Sequence, residues 1–181
     1  MENPYATYRN GHQLFDTYNP EDNTLDIRSN ALWPANVLSN LWEKSFLFDD
    51  VECGSMEGFL QSLKHPDSEK QKAVCALYGN RAKNAGKIKD EKKAWYHKQV
   101  LYWKGVAIPR QSAEYLDLLR RAYRACLEQN ELFQTALAET KGKTLTHRSG
   151  CPDPRKTVLT GDEFIKIMTE LRDSVINSNN S

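Results

Sequence analysis

Apolar residues recur at spacings of three and four along the C-terminal half of the chain, which is the period of amphipathic helices. The clearest run follows Ser112 and comprises Tyr115, Leu116, Leu119, Ala122, Tyr123 and Cys126. Another follows the capping-box pair Thr160 and Glu163 and comprises Phe164, Ile167, Met168, Leu171 and Val175. Asn130 opens a shorter helix between them that ends near Gly142. These runs predict a core of packed helices.

Three shorter helices are predicted upstream from caps and breakers. They are expected from Ser55 to Lys64, stopped by Pro66; from Ser68, with Gln71 as its capping-box partner, to about Tyr78; and from Asp90 to Gly105, carrying Trp95, Tyr96, Leu101, Tyr102 and Trp103. The residues between Gly79 and Gly86 are expected to form a short polar connection.

Strand-like alternation is confined to short segments. Phe46 and Phe48 alternate with Ser45 and Leu47 ahead of an Asp-Asp turn, and Leu145 begins another short strand. Residues 1–29 are polar and are predicted to be an irregular lead-in, and residues 176–181 a disordered tail. The fold class expected for 30–175 is therefore α+β: a mostly α-helical single domain with a few short strands.

Composition fits one globular domain that contains no membrane span. The chain has 181 residues, 39% hydrophobic and 10% aromatic, and no apolar run approaches the roughly 18 residues that a span needs. The N-terminus lacks a signal-peptide pattern, so we expect a cytoplasmic protein. The four cysteines form no CxxC pair, and His147 with Cys151 supplies only two ligands, so we expect no metal and no other cofactor.

The net charge of +1 hides an uneven distribution. Residues 1–60 carry three basic and ten acidic side chains, whereas residues 81–110 carry nine basic and two acidic ones. Clustered Lys and Arg are typical of phosphate or nucleic-acid contact. A solvated helix face explains the same basic stretch without any ligand.

Candidate chemistry concentrates in residues 55–64. Glu57, Gln61 and Lys64 stand at i, i+4 and i+7, so they project from one face of one helix. Together they can hold a polar ligand against the adjoining apolar side. The same spacing also suits a surface salt-bridge ladder, and the spacing alone leaves both interpretations open.

The segment 55–64 resembles the signature helix of the NADAR (YbiA-like) family, Ser-x-Glu-x-x-x-Gln-x-x-Lys. Further segments are similar in the same order: Leu38-Ser39-Asn40, the Phe46 to Asp50 turn, Ala82-Lys83 with Gly86, Trp95, Leu137 with Thr140 and Leu145, and Ile167 to Arg172. The resemblance implies a YbiA-like, mostly helical α+β domain without a metal. It also implies chemistry on the N-glycosidic bond of ribose.

The resemblance assigns roles residue by residue. Glu57 would stabilise the oxocarbenium-like cation or activate water. The implied substrate contacts are Gln61 to a ribose hydroxyl, Lys64 and Lys83 to phosphate, Ser39 and Asn40 to hydroxyls or phosphate, and Trp95 by stacking on a base or ribose. A packed core aromatic is the competing interpretation of Trp95.

The loop before the last helix departs from the family pattern. It lacks the family's Trp-Gly, and Asp153 is the carboxylate left to inherit the second acid–base role. His147 stands where the family has an acid, and it can take a proton near neutral pH.

Three functions follow from the resemblance and its departures. The first is an N-glycosidase that removes ADP-ribose from guanine bases of ADP-ribosylated DNA, reversing a DNA ADP-ribosyltransferase toxin in a bacterial cell or a phage-infected host. The second is cleavage of phosphoribosylamino intermediates of riboflavin biosynthesis. The third is a non-catalytic module that binds ADP-ribose or a similar nucleotide. The implied partner is accordingly ADP-ribosylated nucleic acid or an ADP-ribose-like nucleotide.

Overall fold

The computed structural model describes residues 2–86 and 91–178, with side chains for 2–86 and 95–177. The helices of this part of the chain are α1 (Ala35–Leu38), α2 (Met56–Ser62), α3 (Ser68–Cys75), α4 (Gly79–Ala85), α5 (Glu91–Lys98), α6 (Ala113–Glu128), α7 (Glu131–Ala138) and α8 (Gly161–Ser178). Its strands are β1 (Tyr8–Arg9), β2 (His12–Gln13), β3 (Tyr18–Asn19), β4 (Thr24–Asp26), β5 (Phe46–Phe48), β6 (Val51–Cys53), β7 (Val100–Trp103), β8 (Val106–Pro109) and β9 (Thr144–Thr146).

The core is one cluster in which α6, α7 and α8 pack on one another and on the α1–α2 region. Helix α6 begins where predicted, because the Ser112 side chain accepts a hydrogen bond from the Tyr115 amide. It buries the expected stripe, including Leu119 and Tyr123. The mostly helical α+β fold is confirmed. Within the described residues, no helix is long and apolar enough to cross a membrane.

The prediction of an irregular segment over residues 1–29 is wrong. Strands β1 and β2 form an antiparallel hairpin, and β4 lies between β3 and β9 in a three-stranded sheet. Strand β4 runs parallel to β9, with Leu25 opposite Leu145, and both leucines are buried. Each of these strands is only two or three residues long, so no alternating run is long enough to detect locally.

Two further hairpins within the described residues pack beside the central helices. The predicted β5 strand and its turn are confirmed: Asp49 and Asp50 have φ of 47° and 65°, and β6 returns antiparallel to β5. The helix predicted to reach Gly105 instead ends at Lys98, and β7 and β8 follow as a second hairpin. Leu101 and Trp103 are buried on one side of β7, a period of two that a helical interpretation missed. Asp90, the predicted cap, lies outside the described residues.

The capping box predicted for Ser68 and Gln71 is also wrong. Asp67 caps α3 by accepting a hydrogen bond from the Lys70 amide. The Gln71 side chain is buried, and its amide nitrogen donates to the carbonyls of Ser62 and Tyr102 at 3.2 and 2.8 Å. Gln71 therefore connects α2, α3 and β7, a role that its sequence neighbours do not reveal.

The polar connection expected between Gly79 and Gly86 is instead helix α4, whose one buried residue is Ala82. Its sequence lacks an apolar stripe, so periodicity gives no signal for it.

Helix α8 begins with the predicted capping box. The Thr160 amide donates to Glu163 at 2.8 Å, and the Glu163 amide donates to the Thr160 hydroxyl at 3.1 Å. Arg110 completes this junction: its side chain is 1% exposed and donates two hydrogen bonds to Glu163, at 2.9 and 2.7 Å. Arg110 was expected to be part of a basic phosphate-binding stretch, but it is buried in a structural ion pair.

Burial alone would raise the pKa of Glu163, but hydrogen bonds from Arg110 and the Thr160 backbone lower it below its ordinary value. Glu163→Gln is expected to lower the free energy of unfolding by about 3 kcal/mol at pH 7, because it leaves the Arg110 charge buried without its partner. A depressed carboxyl pKa stabilises the fold above its unfolded value and ceases to do so as pH falls through the folded value. The difference from wild type should therefore shrink below about pH 4. Urea unfolding at several pH values measures both effects.

The matched control is Glu170→Gln on the exposed side of α8, where Glu170 pairs with Arg120 at the surface. Its cost should stay below about 1 kcal/mol. Equal losses for the two variants would contradict the assigned role of the Arg110–Glu163 pair.

Candidate functional site

The first turn of α2 is fixed against the connection between α3 and α4. The Ser55 hydroxyl caps α2 by accepting from the Gly58 amide at 2.9 Å, and it donates to the Leu77 carbonyl at 2.9 Å. A side chain at Gly58 would overlap the carbonyl oxygens of Cys75 and Leu77. The predicted Ser55 cap is confirmed, and this contact sets the position of Glu57.

Glu57 is a half-buried carboxylate with a defined orientation. Its amide donates to the Asn40 carbonyl at 2.9 Å, and its Oε1 accepts from the Gln61 amide nitrogen at 2.9 Å. The Tyr123 hydroxyl donates to Asn40 Oδ1 at 2.7 Å. The structure thus brings together Asn40, Glu57 and Gln61, and it adds Tyr123 from α6.

Tyr123 remains a protonated donor in this cluster. Burial raises the pKa of its hydroxyl well above the ordinary value; the hydrogen bond to Asn40 opposes that rise, and the negative charge of Glu57 adds to it. A phenol that does not ionise can hold the Asn40 amide in one orientation across the whole physiological pH range.

The C-terminal end of α4 and Trp95 of α5 lie beside the same face of α2. A side chain at Gly86 would overlap Gln61 Oε1, which is buried and has no hydrogen-bond partner within the described part of the chain. Lys64 Nζ lies 3.4 Å from the Gly86 carbonyl and 5.9 Å from the Trp95 ring centre. Trp95 is 5% exposed and belongs to the core, so its ring contacts protein over most of its surface.

A buried ammonium holds the segment that carries Ser39 and Asn40. Lys44 is 3% exposed and donates to the carbonyls of Val37 and Ser39 at 2.8 and 2.7 Å. Its Nζ also lies 4.9 Å from the Phe133 ring centre, and burial lowers its pKa to about 8. The Ser39 hydroxyl accepts from the Leu41 amide at 3.3 Å. Ser39 is therefore buried within the turn that presents Asn40.

His147 lies near the cluster but does not contact Asn40 or Glu57 within the described residues. Its Nδ1 lies 2.8 Å from the Ile27 carbonyl, which can only accept, so Nδ1 carries the proton. The ring packs edge-on against Phe164 at 5.1 Å, and Phe164 lies 6.1 Å from Tyr123. His147 thus connects to the Asn40 cluster through two aromatic rings.

Asp153 and Lys83 lie elsewhere. Asp153 accepts two hydrogen bonds from the Arg155 guanidinium, both at 3.1 Å, and these lower the pKa of its carboxyl. Lys156 Nζ lies 4.0 Å away. Within the described residues, no contact joins Asp153 to Glu57, and Lys83 is exposed on α4.

Sequence reasoning missed Lys44 and Tyr123 as members of the site. Buried and exposed residues alternate from Trp42 to Phe48, and Lys44 falls at a buried position of that alternation. A charged residue at an inward-facing position was therefore the available signal, since a buried charge needs partners. Tyr123 stood on the apolar stripe of α6, and no local pattern shows that its hydroxyl meets Asn40.

Comparison with known proteins finds relatives in phage and a bacterial protein of similar fold. Residues 32–173 match the family Bacteriophage protein GP30.3. A 17.1 kDa protein from the Gp30–rIII intergenic region of Enterobacteria phage T4 is 37% identical over 153 residues, which cover 83% of this chain and 98% of that protein. The NMR structure of the E. coli protein YbiA has a TM-score of 0.60 at 14% identity, covering 91% of this chain and 92% of YbiA. The last likeness confirms the expected YbiA-like fold.

The contact between Gly86 and Gln61 is tested by a double-mutant cycle. Gly86→Ala is expected to lower the free energy of unfolding by about 1 to 3 kcal/mol, because the new methyl group overlaps the Gln61 amide. In a Gln61→Ala background the same change should cost much less, since the overlapping group is gone. Denaturant unfolding of the four proteins measures the coupling. Additive costs would show that the two residues do not press on each other.

Proposed function

The chain belongs to the bacteriophage protein GP30.3 family, and on that premise we propose that it is an N-glycosidase that hydrolyses the bond between a ribose and a base. The observation that supports this most is the half-buried Glu57 carboxylate, held by Gln61 and the Asn40 backbone at the start of α2. Support also comes from the YbiA-like fold, since the NADAR pattern that this chain resembles is associated with such chemistry.

The carboxylate suits the charge that develops in this reaction. As the C–N bond lengthens, its electron pair moves to the base nitrogen and positive charge grows on the ribose ring. An oriented carboxylate interacts more strongly with that cation than with the neutral substrate, so it lowers the barrier. Only Oε1 of Glu57 accepts a hydrogen bond within the described residues. Oε2 can therefore take a proton from water as the water oxygen bonds to the anomeric carbon, and this proton then passes to the base nitrogen that received the electron pair of the broken bond.

The neighbouring groups suit a ribose and its phosphates. The Gln61 amide has a second N–H beside the one given to Glu57, and it can donate to a ribose hydroxyl. Lys64 lies just past the end of α2 beside the Gly86 carbonyl, and it is a candidate phosphate contact. Lys83 is exposed on α4 away from the Glu57 cluster, so it is a candidate only for a phosphate that extends from the cluster to α4. Trp95 is too buried to offer an open face for stacking, so its proposed role is to pack beside Lys64 and hold that side chain in position.

The proposed substrate is ADP-ribose attached to guanine in DNA, with removal reversing a toxin's modification in an infected bacterial cell. Exposed cations at Arg81, Lys83 and Lys98 support a nucleic-acid partner. Lys87 and Lys89 of the same basic stretch lie outside the described residues. The side chains of Lys92 and Lys93 do so too.

Binding without turnover is a second candidate function, and the state of Asp153 favours it. A carboxylate that accepts two hydrogen bonds from Arg155 and has a lowered pKa is a poor general acid. Asp153 serves as the second acid–base residue only if substrate displaces Arg155. Glu57 carries the proposed chemistry without that change.

Purified protein is expected to release ADP-ribose from ADP-ribosylated single-stranded DNA, and Glu57→Gln should lower the rate by about 100-fold or more, because the amide carries no charge to stabilise the cation. Chromatography of the released nucleotide gives the rate, and a thermal melt confirms that the variant is folded. Glu52→Gln is the matched control, since Glu52 is exposed on β6.

Full activity of the folded Glu57→Gln protein would exclude Glu57 as the reacting carboxylate. Cleavage of a phosphoribosylamino compound with the modified DNA untouched would assign the riboflavin-type reaction instead. Tight ADP-ribose binding with no product over hours would establish the binding module.

A further inference from the structure

A cavity lies between the N-terminal strands and the start of α4, apart from the Glu57 cluster. It has a volume of about 640 Å³ and is lined by Arg9, His12, Phe15, Trp42, Tyr78 and Arg81, among others. None of Glu57, Gln61 and Lys64 belongs to its described lining. A cavity of this volume accommodates a small organic ligand, and the function proposed above makes no use of it.

Two guanidinium groups from distant parts of the chain line this cavity. Arg9 is on β1, and its Cζ stacks 5.1 Å from the Trp42 ring centre while Nη1 donates to the Ser29 carbonyl at 2.7 Å. Arg81 is on α4 and is exposed. A guanidinium held by an indole ring and a carbonyl is already oriented for an anion, so little side-chain entropy is lost when one binds.

The Arg9 guanidinium is not fully satisfied by the protein. Its Nη2 lies 3.3 Å from Glu2 Oε2 in an ion pair, yet this nitrogen is buried and makes no hydrogen bond within the described residues. The Glu2 carboxylate therefore balances the charge of Arg9 but does not lie in the direction of an Nη2 N–H bond. An anion that displaces the Glu2 carboxylate and approaches Nη2 with better geometry gains the hydrogen bond that Glu2 does not make.

Exposed aromatic rings complete the cavity. Phe15 is 59% exposed and Tyr78 is 45% exposed, and both contribute to the lining. Aromatic side chains usually bury most of their surface, and exposed rings beside cationic groups are typical of surfaces on which nucleobases stack.

We propose that this cavity binds a nucleoside monophosphate, with the phosphate on Arg9 and Arg81 and the base against Phe15 or Tyr78. The guanidinium groups would pair with the phosphate and the aromatic rings would stack on the base, so a phosphate or a nucleoside alone would contact only part of the cavity. The inference does not rest on the proposed glycosidase activity, because it concerns a different part of the surface and is measured by binding alone.

Isothermal titration calorimetry with adenosine 5′-monophosphate tests the proposal on the full chain. The nucleotide should bind at least about tenfold more tightly than either adenosine or inorganic phosphate, because both halves contribute. Arg81→Gln should weaken binding about tenfold by removing a charged phosphate contact. Tyr78→Ala and Phe15→Ala together should weaken it by a similar factor.

Glu2→Gln is expected to raise the affinity for the nucleotide, opposite to the effect of Arg81→Gln. Removing the carboxylate that competes for Arg9 should tighten nucleotide binding by about two- to fivefold. Arg124→Gln is the charge-matched control, since Arg124 is exposed on α6 away from the cavity, and it should bind like the wild type.

Three results would overturn the proposal. One is no binding of the nucleotide at millimolar concentration. Another is binding that Arg81→Gln leaves unchanged, which would locate the nucleotide elsewhere on the protein. The third is inorganic phosphate binding as tightly as the nucleotide, which would remove the role of the rings.

Discussion

The seating of α2 is the contact on which the rest of the candidate site depends. The helix can approach the Cys75–Leu77 carbonyls this closely only because residue 58 has no side chain. The Ser55 hydroxyl then joins the cap to the Leu77 carbonyl. With the start of the helix fixed, the Glu57 amide donates to the Asn40 carbonyl. The Glu57 carboxylate is then held in one orientation by Gln61, one helical turn further along α2. A small shift of α2 would therefore break the contacts of Ser55 with Leu77 and of Glu57 with Asn40 at the same time.

The parts of the fold that could be predicted are those encoded by neighbouring residues. The Ser55 and Ser112 caps, the stripe of α6 and the Thr160 capping box each rest on residues within a few positions of one another. The parallel pairing of β4 with β9 joins positions about 120 residues apart, and each strand has only three residues. Local periodicity therefore carries no sign of it. The prediction for β7 was wrong for a related reason: its four residues begin just after the end of α5, and so short a segment was taken as a continuation of the helix.

The candidate site divides in the same way. Glu57 and Gln61 share one helix, so their spacing predicted that they lie on one face, and the resemblance added Asn40 to the same site. The Tyr123 hydroxyl reaches Asn40 from a position 83 residues away in the sequence. Lys44 donates to backbone carbonyls, which every residue has, so no sequence motif marks its partners. The role of Asp153 was taken from the family pattern, but the partner of its carboxylate is Arg155, two residues further along the chain, which that pattern does not indicate.

A structure of the Glu57→Gln protein with bound ADP-ribose tests the central claim most directly. The expected result places the anomeric carbon of the ribose beside residue 57, with the Gln61 amide at a ribose hydroxyl and the phosphates toward Lys64 or Lys83. Ribose bound away from α2, with no contact to residue 57 or Gln61, would contradict the assignment of Glu57 as the reacting carboxylate.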